Sequence, residues 1–141
     1  MDEMRYQLDL LKAMNQKLSA RERMYRMVCD TSYSAFLYYA FDLDEIVLLG
    51  RWKSFFDFEI RHLQEFSRLY DVVDEPYRLT LRNALHPEKS GRREDSCECM
   101  LREKRMWLEF RTSVAYDEHG IPTDKIICVS DITKFKLQNE N

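Results

Sequence analysis

The chain has 141 residues, enough for one domain and an extra helix, and its 45% hydrophobic and 13% aromatic residues supply a bulky core. Three Gly and three Pro argue against disorder away from the ends, and a net charge of −3, from 22 basic against 25 acidic residues, gives no global attraction to nucleic acid. No apolar run approaches the roughly 18–20 residues of a membrane span, and Met1-Asp2-Glu3-Met4-Arg5 lacks the layout of a signal peptide. A cytoplasmic location without direct membrane insertion is therefore expected, and a membrane-anchored parent protein remains compatible with it.

Residues 1–19 read as an N-terminal amphipathic helix. Met4, Leu8, Leu11 and Leu18 recur at spacings of four, three and seven, a seam suited to a partner helix in a parallel homodimer, with Asn15 where a polar residue sets register. The same stripe equally suits a lone helix lying on its own domain. Ser19-Ala20-Arg21-Glu22 matches a capping box, which predicts a fresh helix from Ser19 to about Cys29 with Met24, Tyr25, Met27 and Val28 on its apolar side. Asp30-Thr31-Ser32 breaks it. A first strand over Ala35–Phe41 turns Leu37, Tyr39 and Phe41 toward the core and leaves Phe36 and Tyr38 on the outer face, where a second protomer or the N-terminal helix must cover them.

Asp42 to Glu45 makes a turn, Ile46 to Leu49 a second strand, and Gly50 ends it. Trp52, Phe55, Phe56, Phe58, Leu63, Phe66 and Leu69 predict short helices with an aromatic inner side. A longer helix is expected from Glu75 to Leu85, carrying Tyr77, Leu79, Leu81 and Leu85, with Pro76 in its first turn, where a missing amide costs nothing. Residues 86–95 read as a loop. Cys97, Cys99 and Leu101 then face inward on a third strand, and Cys128 is positioned to approach the first two from a neighbouring strand. From Met106 the even positions (Met106, Leu108, Phe110, Thr112, Val114, Tyr116) form one mostly apolar face, the period-two pattern of a half-covered antiparallel strand. Asp117-Glu118-His119-Gly120 is a tight turn with Gly120 left-handed, and Lys125 to Ser130 a mostly apolar return strand, closed by Asp131-Ile132-Thr133-Lys134-Phe135-Lys136.

Trp107-Leu108-Glu109-Phe110-Arg111, the turn at Asp117 to Gly120 and the run Ser130 to Lys136 together resemble the C-terminal half of a PAS domain. The likeness is to the bacterial sensory-box modules upstream of diguanylate cyclases and histidine kinases, and it covers about Ala20 to Lys136. The chain departs from the family where Asp57-Phe58 stands for a frequent Gly-Tyr, and Val73-Asp74-Glu75-Pro76 for a frequent His-Pro-Asp-Asp. The resemblance implies an α+β fold, a five-stranded antiparallel sheet with helices across one face, spanning residues 20–136. Residues 137–141 would begin an exit helix to a C-terminal effector, by analogy a diguanylate cyclase or a histidine kinase.

Chemistry of its own is not expected. Three scattered glycines make no phosphate loop, and His62, His86 and His119 read as surface residues on a helix, a loop and a turn. The four cysteines suit a reducing compartment, and Cys-x-Cys without a second pair or a nearby His is poor metal geometry, so the buried thiols read as small apolar side chains. Arg92, Arg93, Arg102, Lys104 and Arg105 read as a solvated loop and hairpin tip. No catalytic residue and no metal ligand is assigned. The resemblance disfavours flavin, since 57–68 contains no Cys, and haem, since 75–85 contains no His. A small-molecule pocket between sheet and helices would involve Tyr39, Phe41, Tyr77, Cys99, Leu108 and Phe110, although large aromatics favour a filled space. Asp131 and Thr133, short and oxygen-bearing, suit capping the exit helix and relaying a signal into it. The alternative is a ligand-free structural module for homodimerisation.

Overall fold

The computed structural model describes residues 2–139, without the side chains of residues 11–19, 21, 22, 25 and 139. Helix α1 (Asp2–Thr31) is one uninterrupted element of 30 residues, roughly 45 Å long at about 1.5 Å per residue. The fresh helix expected from Ser19 is thus corrected. No Gly or Pro interrupts residues 2–31, and a capping-box sequence inside a nucleated helix has no free amides to satisfy. The boundary expected after residue 19 falls within this helix. Met24, Met27 and Val28, expected on a covered side, are 54%, 68% and 63% exposed.

Five strands form one antiparallel sheet: β1 (Ala35–Ala40), β2 (Glu45–Gly50), β3 (Glu94–Met100), β4 (Trp107–Tyr116) and β5 (Pro122–Asp131), in the order β2-β1-β5-β4-β3. Alternation sets the faces. Ala35, Leu37 and Tyr39 on β1, Leu108, Phe110, Thr112 and Val114 on β4, and Lys125, Ile127 and Val129 on β5 are buried on the inner face. Phe36 and Tyr38 lie half-buried on the outer face. Two glycines are conformationally required. Gly50 has φ +70°, and a Cβ there would stand 2.4 Å from the Ser34 carbonyl oxygen; Gly120 has φ +76° in the β4–β5 turn, where Asp117 Oδ1 accepts from the His119 and Ile121 amides.

The inner face is covered by α2 (Trp52–Phe55), a 3₁₀ turn at Leu63–Phe66, α3 (Ser67–Val72) and α4 (Arg78–Leu85). The helix expected from Glu75 opens instead as a separate 3₁₀ turn, Glu75–Tyr77, around Pro76. Leu81, Ala84 and Leu85 set the buried side of α4, which leaves Leu79 68% exposed; Leu63, expected on the inner side of the short helices, is exposed as well. The expected loop over 86–95 contains a 3₁₀ turn at Pro87–Ser90 and the beginning of β3. Helix α5 (Thr133–Asn139) leaves the end of β5. Among the described residues no helix is long and apolar enough to cross a membrane.

Candidate functional site

The inner face of β5 carries an ion where its neighbours carry hydrocarbon. Lys125 has 0% exposure, and its ammonium donates to the Leu85 carbonyl at 2.8 Å, lies 2.9 Å from His86 Nδ1 and donates to Glu88 Oε1 at 2.5 Å. Three hydrogens thus meet three acceptors. The local sequence explains the cradle. Pro87 forces His86 out of helical geometry (φ −131°, ψ 58°), so α4 ends there with the Leu85 carbonyl unsatisfied, and the ammonium takes that role. The 3₁₀ turn after Pro87 then presents Glu88.

Because the ammonium has no lone pair, His86 Nδ1 must accept from it, and the imidazole proton sits on Nε2, directed at the Tyr70 hydroxyl 2.8 Å away. The 3.2 Å approach of His86 Nδ1 to Glu88 Oε1 is then a contact that the shared ammonium bridges. Desolvation and the Lys125 charge push the His86 pKa down, which keeps the ring neutral. Burial pushes the Glu88 carboxyl up, but the hydrogen bond and the charge of the Lys125 ammonium outweigh it and hold the group down, at about 2. Burial lowers the Lys125 pKa, opposed by Glu88. Rings complete the enclosure, Phe41 and Phe66 lying 5.4 and 5.7 Å from the ammonium. A fully paired, enclosed ammonium is neither nucleophile nor base. The cluster is an anchor between sheet and helices. His86, expected on the surface of a loop, is 6% exposed because the Pro87 turn folds it inward.

The six residues expected around a ligand space fall into three settings. Tyr39, Cys99, Leu108 and Phe110 are buried in the main core, and Phe41 packs against it, 5.0 Å from the Tyr39 ring. The Tyr39 hydroxyl donates to Asp44 Oδ1 at 2.9 Å, and burial together with that bond raises its pKa to about 12. Tyr77 turns its ring edge-on to Trp107 at 5.6 Å. A separate cleft of about 380 Å³, lined by Phe55, Phe58, Arg68, Asp71 and Arg102 among others, opens between the helices and the β3–β4 hairpin.

At the other end of β5 the chain passes into α5 through Ile132 alone. Asp131 Oδ1 accepts from the Thr133 amide at 2.9 Å and from the Thr133 hydroxyl at 2.6 Å, while Thr133 Oγ1 accepts from the Trp107 amide at 2.9 Å. The Ile132 amide donates to the Trp107 carbonyl at 2.9 Å. Lys136 of α5 lies 4.8 Å over the Trp107 ring and pairs with Glu98 at 3.0 Å. Three elements, β3, β4 and β5, therefore hold the first turn of α5.

Where β1, β2 and β5 face α1, the outer face is mostly apolar. Arg26, Val28, Cys29, Tyr38, Val47, Leu49 and Ile126 line a groove of about 600 Å³ between α1 and the sheet. Of the residues expected at a dimer interface, Met4 and Leu8 are 70% and 54% exposed, Phe36 and Tyr38 lie beneath α1 on this face, and the side chains of Leu11 and Leu18 lie outside the described residues. The Tyr38 hydroxyl bonds Asp124, which raises its pKa to about 12. Cys97 and Cys99 adjoin, with sulfurs 3.6 Å apart, but Cys128 does not approach them. It pairs with Arg111 on the outer face, and β4 separates β5 from β3. Among the described residues no three His, Cys, Asp or Glu side chains are grouped to hold a metal ion.

No family model matches the chain, and no curated protein matches it. Solved structures do. The sensory-box histidine kinase/response regulator from Burkholderia thailandensis aligns with a TM-score of 0.59 at 14% identity, over 82% of this chain and 89% of that one. The N-terminal domain of a diguanylate cyclase with PAS/PAC sensor from Marinobacter aquaeolei gives 0.55 at 7% identity, over 73% and 98%. The PAS domain of a protein from Colwellia psychrerythraea gives 0.52 at 14% identity, over 79% and 97%. The fold is that of a PAS domain, a five-stranded antiparallel sheet with helices across one face.

Proposed function

We propose that this chain is the sensory or relay module of a multidomain signalling protein, itself non-catalytic, acting on a C-terminal effector of the diguanylate cyclase or histidine kinase class. A change in packing or occupancy at the inner face moves β5, and β5 moves α5. The observation that carries this reading is the junction: the last strand and the exit helix are separated by one residue, and Asp131, Thr133 and Trp107 tie them together. A junction of this kind needs only a few kcal/mol between two arrangements to act as a switch. The test is a coupling measurement. Val129→Ala in the core should alter amide exchange in α5 of the wild-type chain, but not in an Asp131→Ala/Thr133→Ala background. Equal effects in both backgrounds would remove the relay.

The same reading includes a homodimer, with a second copy of this chain covering the exposed apolar residues of α1 and the outer groove. Sedimentation should show a dimer for the full chain and a monomer for a chain starting at Ala20. Identical monomer profiles would end that part of the proposal. A cytoplasmic setting suits it. The reading takes neither flavin nor haem: His86, the first histidine after the 75–85 segment, is engaged by Lys125 and Tyr70.

The buried aromatic core supports a second reading, a ligand-free dimerisation module. Native mass spectrometry of protein purified from cells separates the two. A stoichiometric extra mass favours sensing of a small molecule, and a bare chain favours the structural role.

A further inference from the structure

On the inner face of β3, the Cys97 and Cys99 sulfurs are 3.6 Å apart. Glu98, between them, points to the opposite face and pairs with Lys136 of α5 at 3.0 Å. β3 is also an edge strand, paired in the sheet with β4 alone. We propose that Cys97 and Cys99 are a thiol–disulfide switch, an oxidation site for hydroperoxides, whose closure draws Glu98 away from Lys136 and loosens the exit helix. The consequence for α5 rests on the relay reading above; the oxidation itself does not.

The chemistry balances. One sulfur attacks the hydroperoxide, an S–O bond forms as the O–O bond breaks, and the leaving oxygen departs as an alcohol, or as water when the oxidant is hydrogen peroxide. The second sulfur attacks the resulting sulfenic acid, an S–S bond forms, and the hydroxyl leaves as water with the remaining thiol proton. Two thiols lose two electrons to one peroxide. The hydrogen bond between the sulfurs raises the Cys97 pKa and lowers that of Cys99, so Cys99 is the readier of the two to ionise. The attacking sulfur is then that of Cys99, which is buried, and the partly exposed Cys97 beside it gives a small oxidant a way in.

Closure must deform the strand. A disulfide needs the sulfurs at about 2.05 Å, and α-carbons two apart on an extended strand stand about 6.7 Å apart, close to the widest spacing a disulfide spans. The strand must pucker, and at an edge only one ladder resists. The centre of the pucker is Glu98, which faces Glu109 across the β3–β4 ladder. Like charges in that position repel, and the Lys136 ammonium offsets the repulsion. Moving Glu98 therefore removes one of the contacts that hold α5, the helix that the relay reading connects to an effector.

The test treats the intact chain with one equivalent of hydrogen peroxide, then combines alkylation, peptide mapping and amide exchange. The expected product is a Cys97–Cys99 peptide lighter by two hydrogens, formed about tenfold faster than oxidation at Cys29 or Cys128 and reversed by dithiothreitol. Amides of residues 134–138 should then exchange roughly two- to fivefold faster, the range for losing a partly exposed ion pair. Cys97→Ser and Cys99→Ser should each abolish both effects, and in Lys136→Ala oxidation should leave α5 exchange unchanged. Two intact thiols at 97 and 99 while Cys29 and Cys128 react would overturn the switch. A disulfide that forms without any change in α5 would overturn the coupling, and the Asp131→Ala/Thr133→Ala experiment would still decide the relay independently.

Discussion

The two ends of β5 are held by similar numbers of polar contacts and differ in what surrounds them. At the Lys125 end, an ammonium, a carboxylate, an imidazole and a carbonyl are packed among Phe41 and Phe66, out of water. At the Asp131 end, the bonds to Thr133 lie in the solvent-exposed first turn of α5. A buried charge cannot lose its partner without being stranded in a low dielectric, whereas an exposed cap exchanges its partner for water at small cost. One strand is thus fixed at one end and adjustable at the other. A relay requires that difference, because motion of the strand must appear where the helix leaves.

The comparison breaks most visibly at the fixed end. Glu88→Gln should destabilise the chain by about 3 kcal/mol in urea unfolding, since it leaves the Lys125 ammonium buried without a carboxylate. Adding Lys125→Met should restore most of that loss; a double variant as unstable as the single one would mean that the ion pair is not the anchor.

Acid should act on the same end. The Glu88 pKa is held at about 2 against an ordinary 4.5, so the unfolded chain binds its proton first, and the contribution present above pH 4.5 is lost as pH falls toward 2. The His86 pKa lies below its ordinary 6.5, so the unfolded state again takes the proton first, and loss begins as pH drops through 6.5. Thermal unfolding against pH should show both declines, and Glu88→Gln should remove the lower one.

Smaller effects sharpen the other end. Asp131→Ala should lower the local stability of α5 by about 1 kcal/mol, read as faster exchange of its amides, and leave global unfolding nearly unchanged. Lys136→Ala, which removes a partly exposed pair and a ring contact, should cost at most about 1 kcal/mol by the same measurement. If either substitution destabilised the whole chain as much as Glu88→Gln, the two ends would not differ in the way described.

Much of the fold was legible because periodicity is local. The alternation from Leu108 to Val114 gave β4 its buried side, Gly120 marked the turn, and Asp131 and Thr133 marked the start of α5. Local signals also misled. Ser19 to Glu22 has the form of a helix start, but a cap acts only where amides are free, and α1 runs through it. Cys128 shares a residue type with Cys97 and Cys99 but lies on the outer face, a strand away. Lys125 is in phase with Ile127 and Val129, so its inward direction was readable in the alternation; its partners were not, because Glu88 and His86 lie 37 and 39 positions away.

By itself the sequence determined where the strands run, which face of each is apolar, and that an oxygen-bearing pair begins the last helix. These depend on neighbours two to four residues apart, whose geometry the backbone repeats. Tertiary structure decided the rest: that a lysine on the inner face is neutralised by a turn following α4, and that the glutamate between two cysteines touches α5. Each of these is a meeting of segments distant in the chain, and burial rather than local preference sets its energy.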